Sequence, residues 1–415
     1  MKKRLLATLL SSTLVMTSLA GCSSKSENGD MVTELTKPIT IEMWHYMNGG
    51  QAEVLNEIIE DFNATNDKGI TVNAISQGSI VDLNKKVISA AQSNSLPAII
   101  NVYPDVATGL IEDKKLVNLS SFINDKNVGM ADEMDDFVDA FIQETSQWNN
   151  GEVYGLPMTK STEVLYVNKN MLESLGYTLE DLEDLTFEKL AEISNKAVTE
   201  LGVAGFGFDS SSNAFISSLK MDGLDFVDSK GTINVDNEWV REYMTFFQKQ
   251  AESGAFRIAG EDKFLSNPFV NQKMLCYQGS SAGYAYLNND GAFEIAVVEV
   301  PVFEGKDKAV MQQGASLFVT NNVSAEAQYA AYEFVKFATN AENTAKFATA
   351  TGYLPVRKSA VETEIVKNIL NDETSLYSQV YNVAQKSLPY AYYTPAINNA
   401  QSARTVAQEK YEAFM

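Results

Sequence analysis

A single histidine and two cysteines in 415 residues leave almost nothing from which to build zinc, haem or iron–sulfur ligation. A metal site in this chain would have to be made of carboxylates alone. Cations are also scarce: 32 Lys+Arg stand against 54 Asp+Glu, a formal net charge of −22, and no basic stripe occurs beyond the first four residues. Polyanion binding begins with clustered cations that neutralise phosphate, so nucleic acid is not an expected partner. Apart from the N-terminus, no segment approaches the roughly 20 apolar residues of a spanning helix. The phosphate-cradling G-x-x-x-x-G-K-[ST] and strand-linked G-x-G-x-x-G patterns are missing as well, which removes support for nucleotide binding. What remains is ordinary globular material, with 45% hydrophobic, 10% aromatic and 21% charged residues in a chain long enough to need at least two hydrophobic cores.

The N-terminus reads as a processing segment. Lys2, Lys3 and Arg4 form a positive start, Leu5 to Leu19 an apolar stretch, and Leu19-Ala20-Gly21-Cys22 closes it with small residues before a cysteine. The pattern resembles a bacterial lipoprotein signal, which implies a lipid on the Cys22 thiol after removal of residues 1–21; a plain secretory signal ending near a cysteine is the alternative. Loss of three cations and no acids moves the formal charge from −22 to −25. Residues 22–37, rich in Ser, Lys, Glu, Asn and Gly, read as a tether. With Cys22 consumed, Cys276 stands alone, so no intramolecular disulfide is expected. The expected location is the extracytoplasmic face of a bacterial cell membrane, held by the lipid anchor.

From Pro38 onward strands and helices alternate. Ile39, Ile41 and Met43 alternate along a strand; Val54, Leu55, Ile58, Ile59 and Phe62 recur at helical spacing; strands follow near Ile70 and over Ala98 to Tyr103, separated by a helix from Val81 to Ala91. This order predicts an α/β fold with a parallel sheet and ligand contact beyond the carboxyl ends of the strands. Trp44-His45-Tyr46-Met47 and Tyr103-Pro104-Asp105 fall at such ends. A short strand is expected over Val153 to Pro157, a mixed region from about Val164 to Val302 with a helix over Glu238 to Ser253, and a strand over Ala315 to Val319. A helix through Ala331, Phe334, Val335 and Ala338 and a terminal helix from about Ala400 complete the reading.

Few local patterns carry chemistry. Gly279-Ser280-Ser281-Ala282-Gly283 fits the G-x-S-x-G nucleophile elbow, but that fold places its histidine after the serine, and His45 is the only one. The segment is then either a turn that needs small residues or a loop that offers hydroxyls and N–H groups to an anion. His45 reads first as a packing residue. Lys160-Ser161-Thr162 supplies a cation and two hydroxyls, suited to an anionic or polyol ligand or equally to a solvated turn.

From about Thr40 to Phe414 the chain resembles the extracellular solute-binding proteins of ABC importers, the group that includes maltodextrin-binding proteins. Within it, the nearest likeness is to glycerol-3-phosphate and glycerophosphodiester-binding proteins. The matching stretches are Trp44-His45-Tyr46-Met47, Pro97-Ala98-Ile99 with Val102-Tyr103, Leu156-Pro157 with Ser161-Thr162 and Val164-Leu165-Tyr166, Gly279-Ser280-Ser281, Gly314-Ala315-Ser316-Leu317 and Thr351-Gly352-Tyr353-Leu354-Pro355. The resemblance implies a two-lobed, type II periplasmic-binding-protein-like fold with a hinge and an inter-lobe ligand cleft. Its lobes would run over 38–153 with 317–370, and 158–311 with 375–415. It implies no catalysis and no cofactor; the partners are a small phosphorylated or polyol solute and the permease subunits, and the chain acts as a monomer.

Carried over by position, the family's ligand-binding residues fall on Ser161, Ser280, Gly314, Tyr353 and Arg404, with Trp44 and Asp105 at strand ends. Arg404, in an Arg-x-x-x-x-Glu-x-x-Glu helix with Glu409 and Glu412, is the natural phosphate ligand, because guanidinium matches phosphate oxygens bidentately. Three positions depart from the pattern: Ile80 replaces an aromatic, Pro104 a glutamate for which Asp105 could substitute, and a covering tryptophan gives way to Asp209 or Ser212 beside Phe208. The phosphate half of the pocket is retained and the glycerol half altered, which leaves room for a larger phosphodiester. The same receptor with an uncharged sugar, and a surface hydrolase working through carboxylates such as Asp105, are the alternative readings.

Overall fold

The computed structural model describes residues 31–228, 230–397 and 400–415. The expected signal segment, Cys22 and most of the tether lie outside the described residues. The end of the tether does not stand free, because Leu35 packs against the first core.

Among the described residues, ten strands form one sheet. They are β1 (Ile39–His45), β2 (Ile70–Ser76), β3 (Ile99–Val102), β4 (Gly155–Asn168), β5 (Phe206–Phe208), β6 (Phe256–Ile258), β7 (Cys276–Ser280), β8 (Ile295–Val298), β9 (Val310–Val319) and β10 (Ala391–Tyr392). Their order is β2-β1-β3-β9-β4-β7-β5-β6, with β10 on β9 and β8 on β4. The flanks are parallel, as the alternation of strands and helices predicts: β1 with β2 and β3, and β5 with β6 and β7. The centre is not. β9 lies antiparallel to both β3 and β4, and β4 antiparallel to β7 and β8.

Local sequence starts the helices where capping chemistry is available. Ser79 and Asp82 close a capping box on the helix Ile80–Gln92, while Ser210, Asn237, Ser324 and Asn340 accept N–H bonds at the starts of four others. Each capping side chain satisfies a donor that has no partner within its helix.

Two sets of apolar clusters sit on either side of the central strands. Ile41, Met43, Leu55, Phe62 and Phe334 belong to the first set, on one face of β1, and Trp44, Leu83, Val87 and Ile100 occupy the other face. The second set is dense in aromatics: Phe187, Phe206, Phe208, Tyr243, Phe247 and Phe303 pack together, with the Phe187 and Phe303 rings centred 4.5 Å apart. β4 and β9 serve both sets. Leu156, Met158, Leu317 and Val319 enter the first, and Leu165, Val167 and Met311 the second. These two strands therefore cross from one set of clusters to the other.

β4 is longer than its sequence suggests. The expected short strand ending at Pro157 continues to Asn168, and Lys160 lies within it, fully buried, rather than in a ligand-facing or solvated turn. The reason is tertiary: its ammonium bonds a Glu144 carboxylate oxygen at 2.5 Å and the Gly314 carbonyl at 3.0 Å. A bulge at Met158 shifts the pairing, so that Pro157 faces Ser316 and Thr159 faces Ala315.

Candidate functional site

The chain leaves β1 and β3 at the same end of the sheet and places Tyr46 and Tyr103 there. The Tyr46 hydroxyl lies 3.0 Å from Thr159 Oγ1 on β4 and 3.3 Å from the Tyr353 hydroxyl. Tyr353 follows the helix Ala341–Thr351, ended by Gly352 in the left-handed conformation (φ 81°), and its ring stacks on Phe347 at 5.8 Å. Burial raises the phenol pKa values of all three tyrosines, so they serve as neutral hydrogen-bonding groups.

Gly314 stands on β9 opposite Lys160. Its φ is 149°, and a Cβ built there would sit 1.7 Å from the Thr159 carbonyl oxygen, so only glycine lets the two central strands approach this closely. Beside it lies a small cavity of about 30 Å³ lined by Tyr103, Asp105, Glu144, Gln313, Gly314 and Arg404, among others. That volume holds about one water molecule.

Arg404 reaches this cavity from the last helix, Ala400–Phe414, with its side chain buried. The segment ahead of that helix is tied to residues far earlier in the chain: the Ala396 N–H donates to Gln147 Oε1 at 2.7 Å, and its carbonyl accepts from Thr108 Oγ1 at 2.9 Å. Arg404 Nη2 donates to Asn213 Oδ1. Burial lowers its pKa, opposed by Tyr392, Asp105 and Tyr103, yet guanidinium stays charged in any such setting. None of the described carboxylates forms an ion pair with it. Asp105, at the start of the helix Pro104–Glu112, has a carboxyl pKa raised by burial and drawn back by the Val106 N–H, which it bonds at 2.8 Å, and by Arg404. Glu144 is raised by burial and drawn back by Lys160.

The structure thus brings Gly314, Asp105 and Arg404 to one cavity together with Tyr103, while Tyr353 bonds Tyr46 and is not among the lining residues. Ser161 is half-buried opposite Gln313, a lining residue. Ser280 is half-buried at the end of β7, and its hydroxyl accepts the Ala282 N–H at 3.2 Å while keeping its own proton to donate. Trp44 is not brought to the cavity. Its indole lies within β1, in the cluster with Leu83, Val87 and Ile100, where it donates to Glu42; Tyr46, two residues on and past the end of the strand, packs against the same cluster and reaches the site.

The remaining sequence motifs prove structural. Ser281 is fully buried and accepts the Thr162 N–H at 3.3 Å, while a Cβ on Gly279 would meet Asp209 Oδ2 at 2.6 Å, so the G-x-S-x-G segment is a turn that needs small residues. His45 Nδ1 accepts the Met47 N–H at 3.1 Å, and burial lowers its pKa to about 4. Among the described residues no group of three or more His, Cys, Asp or Glu is placed to hold a metal ion, and no helix is long and apolar enough to cross a membrane.

Sequence reasoning missed Asn213, Gln313, Glu144 and Glu163. The only signal for Asn213 was its place just after the Ser210 cap; the others had none, because their partners are distant in sequence.

Residues 57–372 match the family described as bacterial extracellular solute-binding protein, and the chain belongs to that family. It is a solute-binding component of ABC transporters and not an enzyme. Among relatives, the sn-glycerol-3-phosphate-binding periplasmic protein UgpB of Rhizobium meliloti is 22% identical over 391 residues, covering 90% of this chain and 88% of the relative. The UgpB of Escherichia coli K12 is 24% identical over 337 residues, covering 78% and 75%. Of solved structures, UgpB from Mycobacterium tuberculosis in complex with glycerophosphocholine superposes with a TM-score of 0.77 at 21% identity, covering 91% of this chain and 93% of that one. The cyclic alpha-maltosyl-1,6-maltose binding protein of Arthrobacter globiformis gives 0.74 at 19% identity, covering 91% and 94%. These likenesses establish the two-lobed α/β fold.

Proposed function

We propose that the solute is glycerol-3-phosphate or a glycerophosphodiester, held by its phosphate at Arg404. The observation that carries this reading is a buried guanidinium that borders a polar cavity between the central strands and the last helix and meets a neutral amide rather than a carboxylate. Phosphate oxygens would satisfy its remaining donors bidentately. Gly314, Ser161 and Ser280 would add N–H and hydroxyl donors, and Asp105 and Tyr353 would face the glycerol hydroxyls. The UgpB relatives, named for sn-glycerol-3-phosphate, support the same assignment.

The cavity of about 30 Å³ is far below the roughly 300 Å³ of a small-molecule pocket. Solute entry therefore requires the lobes, taken as 38–153 with 317–370 and 158–311 with 375–415, to part about β4 and β9. Capture is then hinge closure, and the closed form docks on the permease. A micromolar site would be worth about −8 kcal/mol, part of which drives closure. Arg404→Ala should abolish binding of sn-glycerol 3-phosphate in calorimetry; unchanged affinity would remove the phosphate assignment.

A second reading keeps the receptor role with an uncharged sugar, favoured by Tyr103 beside Asp105 in the cavity and by the neighbouring pair of Tyr46 and Tyr353 hydroxyls. A thermal-shift screen of sugars against phosphate esters separates the two. The N-terminal pattern completes the proposal: cleavage after Gly21 and a lipid on Cys22 would hold a monomeric receptor at the outer face of the membrane. Mass spectrometry of the mature N-terminal peptide tests it, and an unmodified Cys22 would refute the anchor.

A further inference from the structure

Asn213 lies in the first turn of the helix Ser211–Met221, directly after the Ser210 cap, and is buried at 4% exposure. Its side-chain amide is used at both ends. Oδ1 accepts from Arg404 Nη2, while Nδ2 donates to Glu163 Oε1 at 2.9 Å and Gln313 Oε1 at 3.0 Å. The orientation of the amide follows from its partners, since guanidinium only donates and an ionised carboxylate only accepts. Glu163 belongs to β4 and Gln313 to β9, the two strands that pass between the lobes. Glu163 is held in turn by Gln278 Nε2 of β7 at 3.0 Å. A single side chain therefore connects the arginine of the last helix to both crossing strands.

We propose that Asn213 is a positioning residue, which aims the Arg404 guanidinium into the cavity and couples anion capture there to the two crossing strands. The inference rests on the reading of Arg404 as the anion ligand. An arginine has four rotatable side-chain torsions, and fixing one nitrogen by a neutral acceptor restrains the fork without neutralising it. A carboxylate in that place would hold the fork as well but would compete with the incoming anion. Asparagine gives the restraint and leaves the charge available, and its two N–H groups transfer any displacement of the fork to β4 and β9.

The test is a double-mutant cycle on the full mature chain, with sn-glycerol 3-phosphate as the probe in calorimetry and small-angle scattering as the measure of closure. Asn213→Leu should weaken binding by about 10-fold or more, the size expected for loss of a hydrogen bond to a charged group. In an Arg404→Lys background the same change should cost much less, because the fork it aims is gone. The contraction on saturation should also be incomplete in Asn213→Leu. Asn213→Asp, nearly isosteric, covers the case in which the leucine variant fails to fold; it should also weaken binding by about 10-fold, because its carboxylate pairs with Arg404. Affinity unchanged in Arg404→Ala would overturn the anion reading itself. Affinity lost in Arg404→Ala but within about twofold of wild type in the foldable Asn213 variants would overturn this inference alone, as would strict additivity of the Asn213→Leu and Arg404→Lys changes.

Discussion

The Tyr284 hydroxyl donates to the Thr349 carbonyl at 2.8 Å, and so joins the turn after β7 to the helix Ala341–Thr351. Gly352 lies against the same ring, where a Cβ would come within 2.6 Å of Tyr284 Cδ1. On the proposed lobe boundaries, this contact would exist only while the lobes are together. Tyr284→Phe removes one hydrogen bond worth about 1 kcal/mol, with the ring packing kept. The expected outcome is a larger radius of gyration without solute and the same radius at saturation. An unchanged radius without solute would show that the bond does not hold the closed form.

The buried Lys160–Glu144 pair, 2.5 Å apart, sits between the crossing strands and the helix Asp139–Glu144. Removing one partner leaves a charge without compensation, so Lys160→Met should cost about 3–5 kcal/mol in denaturant unfolding. The double change Lys160→Met with Glu144→Gln should recover much of that loss. Equal losses in the single and double variants would mean that the packing of the lysine stem, and not the charge, matters.

Gly314→Ala forces a Cβ to within 1.7 Å of the Thr159 carbonyl oxygen. The neighbour is backbone, so β4 and β9 must separate. A loss of roughly 2–4 kcal/mol is expected, together with increased amide hydrogen exchange at Thr159 to Ser161. A variant as stable and as protected as wild type would contradict the close approach.

Asp209 carries a carboxyl pushed from 3.8 up to about 7, by burial first, against the Leu265 N–H bond that favours its charged form. The folded protein keeps this proton over a range in which the unfolded chain has lost it. The stabilising contribution of the group is therefore full near pH 4, falls as pH rises toward 7 and is flat above that. Asp209→Asn should remove this slope and be the more stable protein at pH 8 by a few kcal/mol at most. Parallel stability curves for the two proteins would show that the carboxyl titrates normally.

How much of this was legible in the chain differs residue by residue. The strand ends at Tyr46 and Tyr103 followed from two-residue periodicity in Ile39 to Met43 and from the apolar run before Tyr103. Trp44 shares its face with Tyr46, since side chains two apart on a strand point the same way, but it sits inside β1 in the cluster with Leu83 and Val87 of the helix Ile80–Gln92, while Tyr46 lies past the strand end, and only that packing decides which of the two reaches the site.

The sequence by itself pointed to the class of protein through the family its motifs resemble, and it determined the order of the strands and helices and the chemistry available at the C-terminal arginine, because those depend on local spacing and on residue type. Tertiary structure alone decided that Lys160 is a buried strut between segments, that Ser281 is spent on a turn, and that Arg404 answers to Asn213. Each of those roles is set by a partner far along the chain, Gly314 for Lys160, Thr162 for Ser281 and Asn213 for Arg404. A buried charge or hydroxyl takes its function from whichever group satisfies it, and local sequence does not specify that group.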